Sequence, residues 1–175
     1  MSSHGPDPGT ERVGSPAAGR LFRALRSMAV ISRVDGAALM LSDERGHLRA
    51  VGGSTSEGLE LEYVQQLERT GPAHESVASD HPIAVPDLSD RDAGYARLAD
   101  RAAPVRSVLS VPIRLDHRPI GALNLYRCTP CEWTSHQIAV GQDLAEAMAE
   151  LLTVLSRRGH GPAAAGRRQS TAGGT

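Results

Sequence analysis

The 175-residue sequence contains no lysine: all nineteen of its basic residues are arginine. A Schiff-base lysine, a pyridoxal-phosphate anchor and the lysine of a P-loop are excluded together. Aromatic residues are scarce, with one Phe, one Trp and three Tyr, and Asn124 is the only asparagine. Set against abundant Ala, Arg and Gly, this bias reads as GC-rich codon usage. Two cysteines are too few for the disulfide framework of a small secreted domain. No apolar run approaches the roughly 18–20 residues of a membrane span, and residues 1–16 lack the apolar stretch of a signal peptide. A cytoplasmic protein is expected. Nineteen basic against twenty acidic residues leave a net charge of −1, so a strong nucleic-acid signal is missing.

What is present is one foldable block between two tails. Residues 1–16 and 158–175 are rich in Gly, Pro, Ser and Ala and are expected to be disordered, leaving 17–157 as a single domain. A helix is expected from about Ala17 to Ser32, with Leu21, Leu25 and Met28 at helical spacing. Two short strands follow, Ala37–Leu41 and His47–Gly52, joined by a turn containing Gly46. Ser54 and Glu57 stand as in a capping box before a helix carrying Leu61, Val64 and Leu67, and Pro72 opens a brief second helix. His81–Asp87 reads as a short strand, and Asp90 or Asp92 as the cap of a helix carrying Tyr95, Leu98 and Ala102. Val105–Leu115 alternates strictly, turns at Asp116-His117-Arg118 and returns through Pro119–Arg127. A last helix from about Ser135 to Arg157 has an apolar face wider than one sheet needs, which suggests packing on a partner chain as well. The fold class is therefore α+β, built on a mostly antiparallel sheet of about five strands.

Gly71-Pro72, His81–Leu88 (HPIAVPDL), Val105–Ile113 (VRSVLSVPI) and Pro119–Tyr126 (PIGALNLY) occur in an order and spacing that resemble a GAF domain. More narrowly they are similar to bacterial GAF domains joined to an RNA-binding ANTAR module, although the residues after Arg157 do not spell that module. The resemblance spans about 17–156. It implies a sensory or regulatory domain, non-enzymatic, whose five- or six-stranded sheet cradles a small molecule of unknown identity and whose terminal helices pair in a homodimer. It also implies a separate output protein. No cofactor is specified. The cyclic-nucleotide signature of the family needs a lysine and is absent, and neither cysteine stands where a bilin-linking one would. On this resemblance Asp87, Tyr95, Ser110 and Asn124 surround the pocket as candidate ligand-binding residues. Asn124 also stands out by itself, because a polar side chain in a central strand needs a partner.

Cys128-Thr-Pro-Cys131 is the one motif that can carry chemistry, as a shared metal pair or a reducible disulfide, set against the plainer reading of two surface thiols in a loop. His136 would add a third zinc ligand, but Gly141 stands where the fourth is due, so no metal site is assigned. Enzymes on this fold that reduce free methionine sulfoxide use cysteines around the pocket, whereas both cysteines here lie at the hairpin's exit. The seven histidines do not cluster; His74 and His81 flank the short helix and strand, where a role at the pocket edge stands against the favoured reading of ordinary hydrogen-bonded or exposed side chains. Ser107 and Ser110 lack a nucleophile elbow. Arg157, Arg158, Arg167 and Arg168 are expected to keep the C-terminal tail solvated, the alternative being a weak attraction to RNA or an acidic partner. Two alternatives stand beside sensing: a ligand-free dimerisation module with a filled pocket, and a thiol switch at Cys128 and Cys131.

Overall fold

Ser15 caps the first helix, its hydroxyl accepting from the Ala18 amide at 3.2 Å, and Pro16 occupies the first helical position, where it suits the backbone. Helix α1 (Pro16–Ser32) ends where Arg33 turns left-handed, and it buries Leu21, Leu25, Met28 and Ala29. The computed structural model describes residues 14–159; the remainder of both expected tails lies outside the described residues. Strands β1 (Gly36–Ser42) and β2 (Leu48–Gly53) form the first hairpin. Helices α2 (Ser56–Glu68) and α3 (Pro72–Ser79), strand β3 (Ile83–Val85) and helix α4 (Ala96–Arg101) lead to the second hairpin. That hairpin is β4 (Ser107–Leu115) and β5 (Arg118–Arg127), and α5 (Ser135–Gly159) closes the described chain.

The five strands form one antiparallel sheet in the order β2-β1-β5-β4-β3. Asp116 and His117, both at positive φ, make the tight turn between β4 and β5. Such a pair of left-handed residues matches the twist of the strands it joins. Pro112 sits in β4 beyond the stretch that β3 pairs, where a missing amide costs the sheet least.

Strand alternation gives the sheet two unlike faces. Ala37, Leu39, Leu109, Val111, Ile113, Leu123 and Leu125 pack under α1 and α5, against Leu21, Leu25, Met28, Leu144 and Met148. Each fully buried leucine here contributes roughly 1.5–3 kcal/mol. Gly141 lets α5 approach closely, since a Cβ there would lie 3.1 Å from Val111 and 3.2 Å from Leu109. The other face is divided. Val108 and Tyr126 join Leu61, Val64, Leu88 and Leu98, while Met40 and Ala122 join Leu48 and Ala73. Between these apolar patches the sheet presents polar side chains.

Several local expectations shift. The cap of α2 is Thr55, accepting from Gly58 N at 3.1 Å, because Ser54 is used elsewhere: its hydroxyl accepts from Ala37 N at 2.9 Å. Leu67 is 68% exposed and leaves the expected stripe. The expected helix after Asp90 is split into a 3-10 turn at Arg91–Ala93 and α4, because Gly94 takes a positive φ. No helix of the described residues is long and apolar enough to cross a membrane.

Candidate functional site

Gly58, Leu61, Glu62 and Gln65 recur at the i, i+3, i+4, i+7 spacing of one helical face, and all four are buried between α2 and the sheet. Two of them are polar. Below them the register sets Ser110 of β4 opposite Asn124 of β5. The Asn124 amide donates to both carboxyl oxygens of Glu62, at 2.7 and 2.9 Å, and accepts from the Ser110 hydroxyl. Glu62, Ser110 and Asn124 are each 0% exposed. Burial pushes the Glu62 carboxyl up to about 8, with the Asn124 hydrogen bonds pulling the other way. Glu62 is therefore a neutral acid near pH 7, able both to donate and to accept.

The polar layer continues along α2 and α3. Gln65 Oε1 accepts from Ala73 N at 2.9 Å and so caps α3, whose N-cap residue Gly71 has no side chain to offer. Its Nε2 is buried with no hydrogen-bond partner. Ser76 donates to the His81 carbonyl at 3.0 Å. His74, with Nδ1 also unpartnered, is pushed toward its neutral form by burial. This is a set of donors and acceptors suited to recognition. Among the described residues no three His, Cys, Asp or Glu side chains are placed to hold a metal ion.

Of the four residues expected around the pocket, the structure brings Ser110 and Asn124 together and sets the other two apart. Asp87 is forked by Arg106, which donates from Nε at 3.0 Å and from Nη2 at 2.7 Å. That pairing, helped by the Ser89 amide, holds the Asp87 carboxyl at about 2. Tyr95 lies at the start of α4, lining an open cleft of about 450 Å³ with Glu68, Gly71 and Arg97. Burial, then the Glu75 carboxylate, drives its phenol upward. Glu62 and Gln65 carried no apolar signal, yet their spacing with Gly58 and Leu61 is the helical signature that reveals them.

Cys128 and Cys131 are free and half-buried just after β5. The Cys128 amide donates to Asp35 at 2.7 Å and the Cys131 amide to the Pro86 carbonyl at 3.0 Å. Burial, then Asp35 and Glu57, pushes the Cys128 thiol up, which lowers its thiolate fraction at neutral pH. In a Cys131→Ser variant, Cys128 is expected to react with iodoacetamide at pH 7.5 more slowly than the thiol of an unstructured peptide. A rate equal to the peptide's or faster would favour the thiol switch.

A five-stranded antiparallel sheet with long terminal helices on one face and short helices over a polar layer on the other defines a class of sensory and regulatory domains. The GAF domain family model matches residues 18–152, and the chain belongs to that family. Solved structures share the fold. The GAF domain of an Acinetobacter phosphoenolpyruvate-protein phosphotransferase is 15% identical, with a TM-score of 0.61 over 85% of this chain and 89% of that one. The type II free methionine-R-sulfoxide reductase of Thermoplasma acidophilum is 17% identical, with a TM-score of 0.59 over 79% and 94%. A GAF domain from Synechocystis sp., solved in its photoproduct state, is also 17% identical, with a TM-score of 0.57 over 81% and 98%. No curated protein sequence matches the chain.

Proposed function

We propose that this GAF domain is a non-enzymatic sensor that binds a small polar molecule against Glu62, Ser110 and Asn124, between the sheet and helices α2 and α3. One observation carries the reading: three fully buried polar side chains, Glu62 of α2 and Ser110 and Asn124 of the sheet, meet over the middle of a sheet face that is apolar on either side. Burying such groups costs free energy unless each is paired, and an apolar core is the cheaper solution for folding alone. A ligand would exchange hydrogen bonds with Asn124 and enter beside the unpartnered Gln65 amide. Asn124 lies between Leu123 and Leu125, which pack under the terminal helices, so a shift in β5 reaches α1 and α5 directly. The segments Val105–Ile113 and Pro119–Tyr126 resemble those of bacterial GAF domains joined to an ANTAR module, which supports reading the chain as a relative of that branch.

The output runs through a homodimer formed by α1 and α5, read by a separate protein. Helix α1 exposes Arg20, Arg23 and Arg26 and has no acidic residue, while α5 exposes Asp143, Glu146 and Glu150. None of these six charges is in an ion pair among the described residues. Phe22, Val30 and Ile31 on α1 and Val154 on α5 are exposed beside them. Basic α1 of one copy fits acidic α5 of another.

A second reading is a pairing module without a ligand. It is favoured by the mutual satisfaction of Glu62, Ser110 and Asn124, whose hydrogen bonds already close on one another. Native mass spectrometry of freshly purified protein separates the two. The sensor is expected at dimer mass with an excess that disappears on denaturation. Dimer mass without excess supports the pairing module, and a monomer overturns the helix-pairing part of both. The double variant Arg23→Glu, Arg26→Glu is expected to be monomeric.

A further inference from the structure

A second concavity lies on the opposite sheet face, where the end of α1 meets the start of α5. It encloses about 550 Å³, a size suited to a small molecule. Its floor is apolar, formed by Leu125 of β5, Val140 of α5 and the ring of Trp133, which is held by an Nε1 hydrogen bond to the Val85 carbonyl at 3.2 Å. Its polar rim is basic: Arg33, Arg127 and His136 line it, and no carboxylate does.

The two arginines are not neutralised. Arg106 and Arg114 elsewhere in the fold each close on a carboxylate, Asp87 and Asp80 respectively. Arg33 and Arg127 form no ion pair among the described residues. Arg127 donates to neutral groups, the Arg33 carbonyl at 3.3 Å and Cys131 Sγ at 3.7 Å. Asp35, nearby in the fold, accepts from the Cys128 amide and does not line the groove. The Ser32 hydroxyl, in the groove wall, is buried with no hydrogen-bond partner. The first turn of α5 adds its positive end, fixed by a reciprocal cap in which Thr134 N donates to Gln137 Oε1 at 2.8 Å and Gln137 N to Thr134 Oγ1 at 3.2 Å.

We propose that this groove binds a small organic anion bearing a ring, its carboxylate set between Arg33, Arg127 and His136 and its ring against Trp133, Leu125 and Val140. Guanidinium groups match carboxylates by paired, charge-assisted hydrogen bonds. An occupant touches the end of α1 and the start of α5 at once, so it fixes the relation between those helices. The site does not depend on the reading of Glu62.

Trp133 is the only tryptophan in the chain, so it reports on its own groove. The full-length protein is titrated with benzoate, with inorganic phosphate as an anion lacking a ring, and with benzyl alcohol as a ring lacking charge. Benzoate is expected to give a saturable change in Trp133 fluorescence, and the other two at least about tenfold weaker binding, the equivalent of one charge-assisted contact. Arg127→Gln is expected to weaken benzoate by about tenfold or more. Gln137→Glu keeps the acceptor for Thr134 N, and hence the helix cap, while placing a carboxylate in the groove. It is expected to abolish benzoate binding with an unchanged thermal midpoint. The proposal fails if benzoate gives no saturable change at millimolar concentrations, if phosphate or benzyl alcohol binds as tightly, or if folded Gln137→Glu still binds benzoate like wild type.

Discussion

Replacing Glu62 by glutamine is expected to stabilise the domain above pH 7 and to flatten its stability against pH. Glu62 is held protonated in the folded state up to about pH 8 because burial disfavours its charge, whereas in the unfolded chain it ionises near 4.5. Between those values the folded state binds the extra proton, so stability falls as pH rises, by about 1.4 kcal/mol per unit. Below about 4.5 both states are protonated and the effect is gone; above about 8 both are ionised and the loss is complete. From pH 5 to 7.5 Glu62 alone should remove roughly 3 kcal/mol, a large share of the 5–15 kcal/mol typical of a domain. Glutamine cannot ionise and still presents a carbonyl oxygen to Asn124. His74 acts with opposite sign: its folded-state pKa is depressed by burial, so its contribution is lost as pH falls. Asp43 and Asp87, both held at about 2, act below this window. The difference between wild type and variant therefore isolates Glu62. Urea unfolding at pH 5, 6.5 and 8 measures it, and parallel curves for the two proteins would show that Glu62 is not a buried neutral acid.

How far the sequence reaches can be judged from these same residues. The alternation of β4 and β5 carries its own proof in local spacing, and it puts Ser110 and Asn124 on the face away from Leu109 and Leu125. Asn124 is conspicuous because a lone amide in a central strand must be paired. Its partner is not conspicuous, since Glu62 lies sixty-two positions away on a helix. A stripe sought among apolar letters passes through Leu61, Val64 and the exposed Leu67, and overlooks the polar residues on the buried face. Asp87 and Tyr95 stand apart from that pair for another reason. Their place in the chain is right for a pocket edge, but Arg106 holds the Asp87 carboxylate, and the break at Gly94 leaves Tyr95 on the α4 side of that edge. Chain position says which element a residue belongs to; the nearest counter-charge decides where its side chain goes.

Truncating Asn124 to alanine is expected to be among the most damaging single changes in the fold. It leaves both Glu62 oxygens and the Ser110 hydroxyl buried without their partner. Each orphaned group costs about 1–3 kcal/mol, so a total loss of about 4 kcal/mol is expected before any relaxation. The informative comparison is the triple variant Glu62→Met, Ser110→Ala, Asn124→Val, which removes every polar member and keeps the layer filled. Valine suits a strand, and replacing a satisfied buried network by apolar side chains of similar volume is neutral or stabilising in other proteins. The triple variant is therefore expected to match or exceed wild-type stability in urea, although it contains the position whose single truncation is so costly. That pairing of results separates what the fold needs from what function retains. If the triple variant is stable and also loses the excess mass expected of the wild-type dimer, the polar layer exists for a ligand. If it is stable and the excess mass persists, the ligand sits elsewhere, and the groove beside Trp133 is then the place to look. If it is less stable than Asn124→Ala, the network is a structural element of the core and the sensor reading of this face fails.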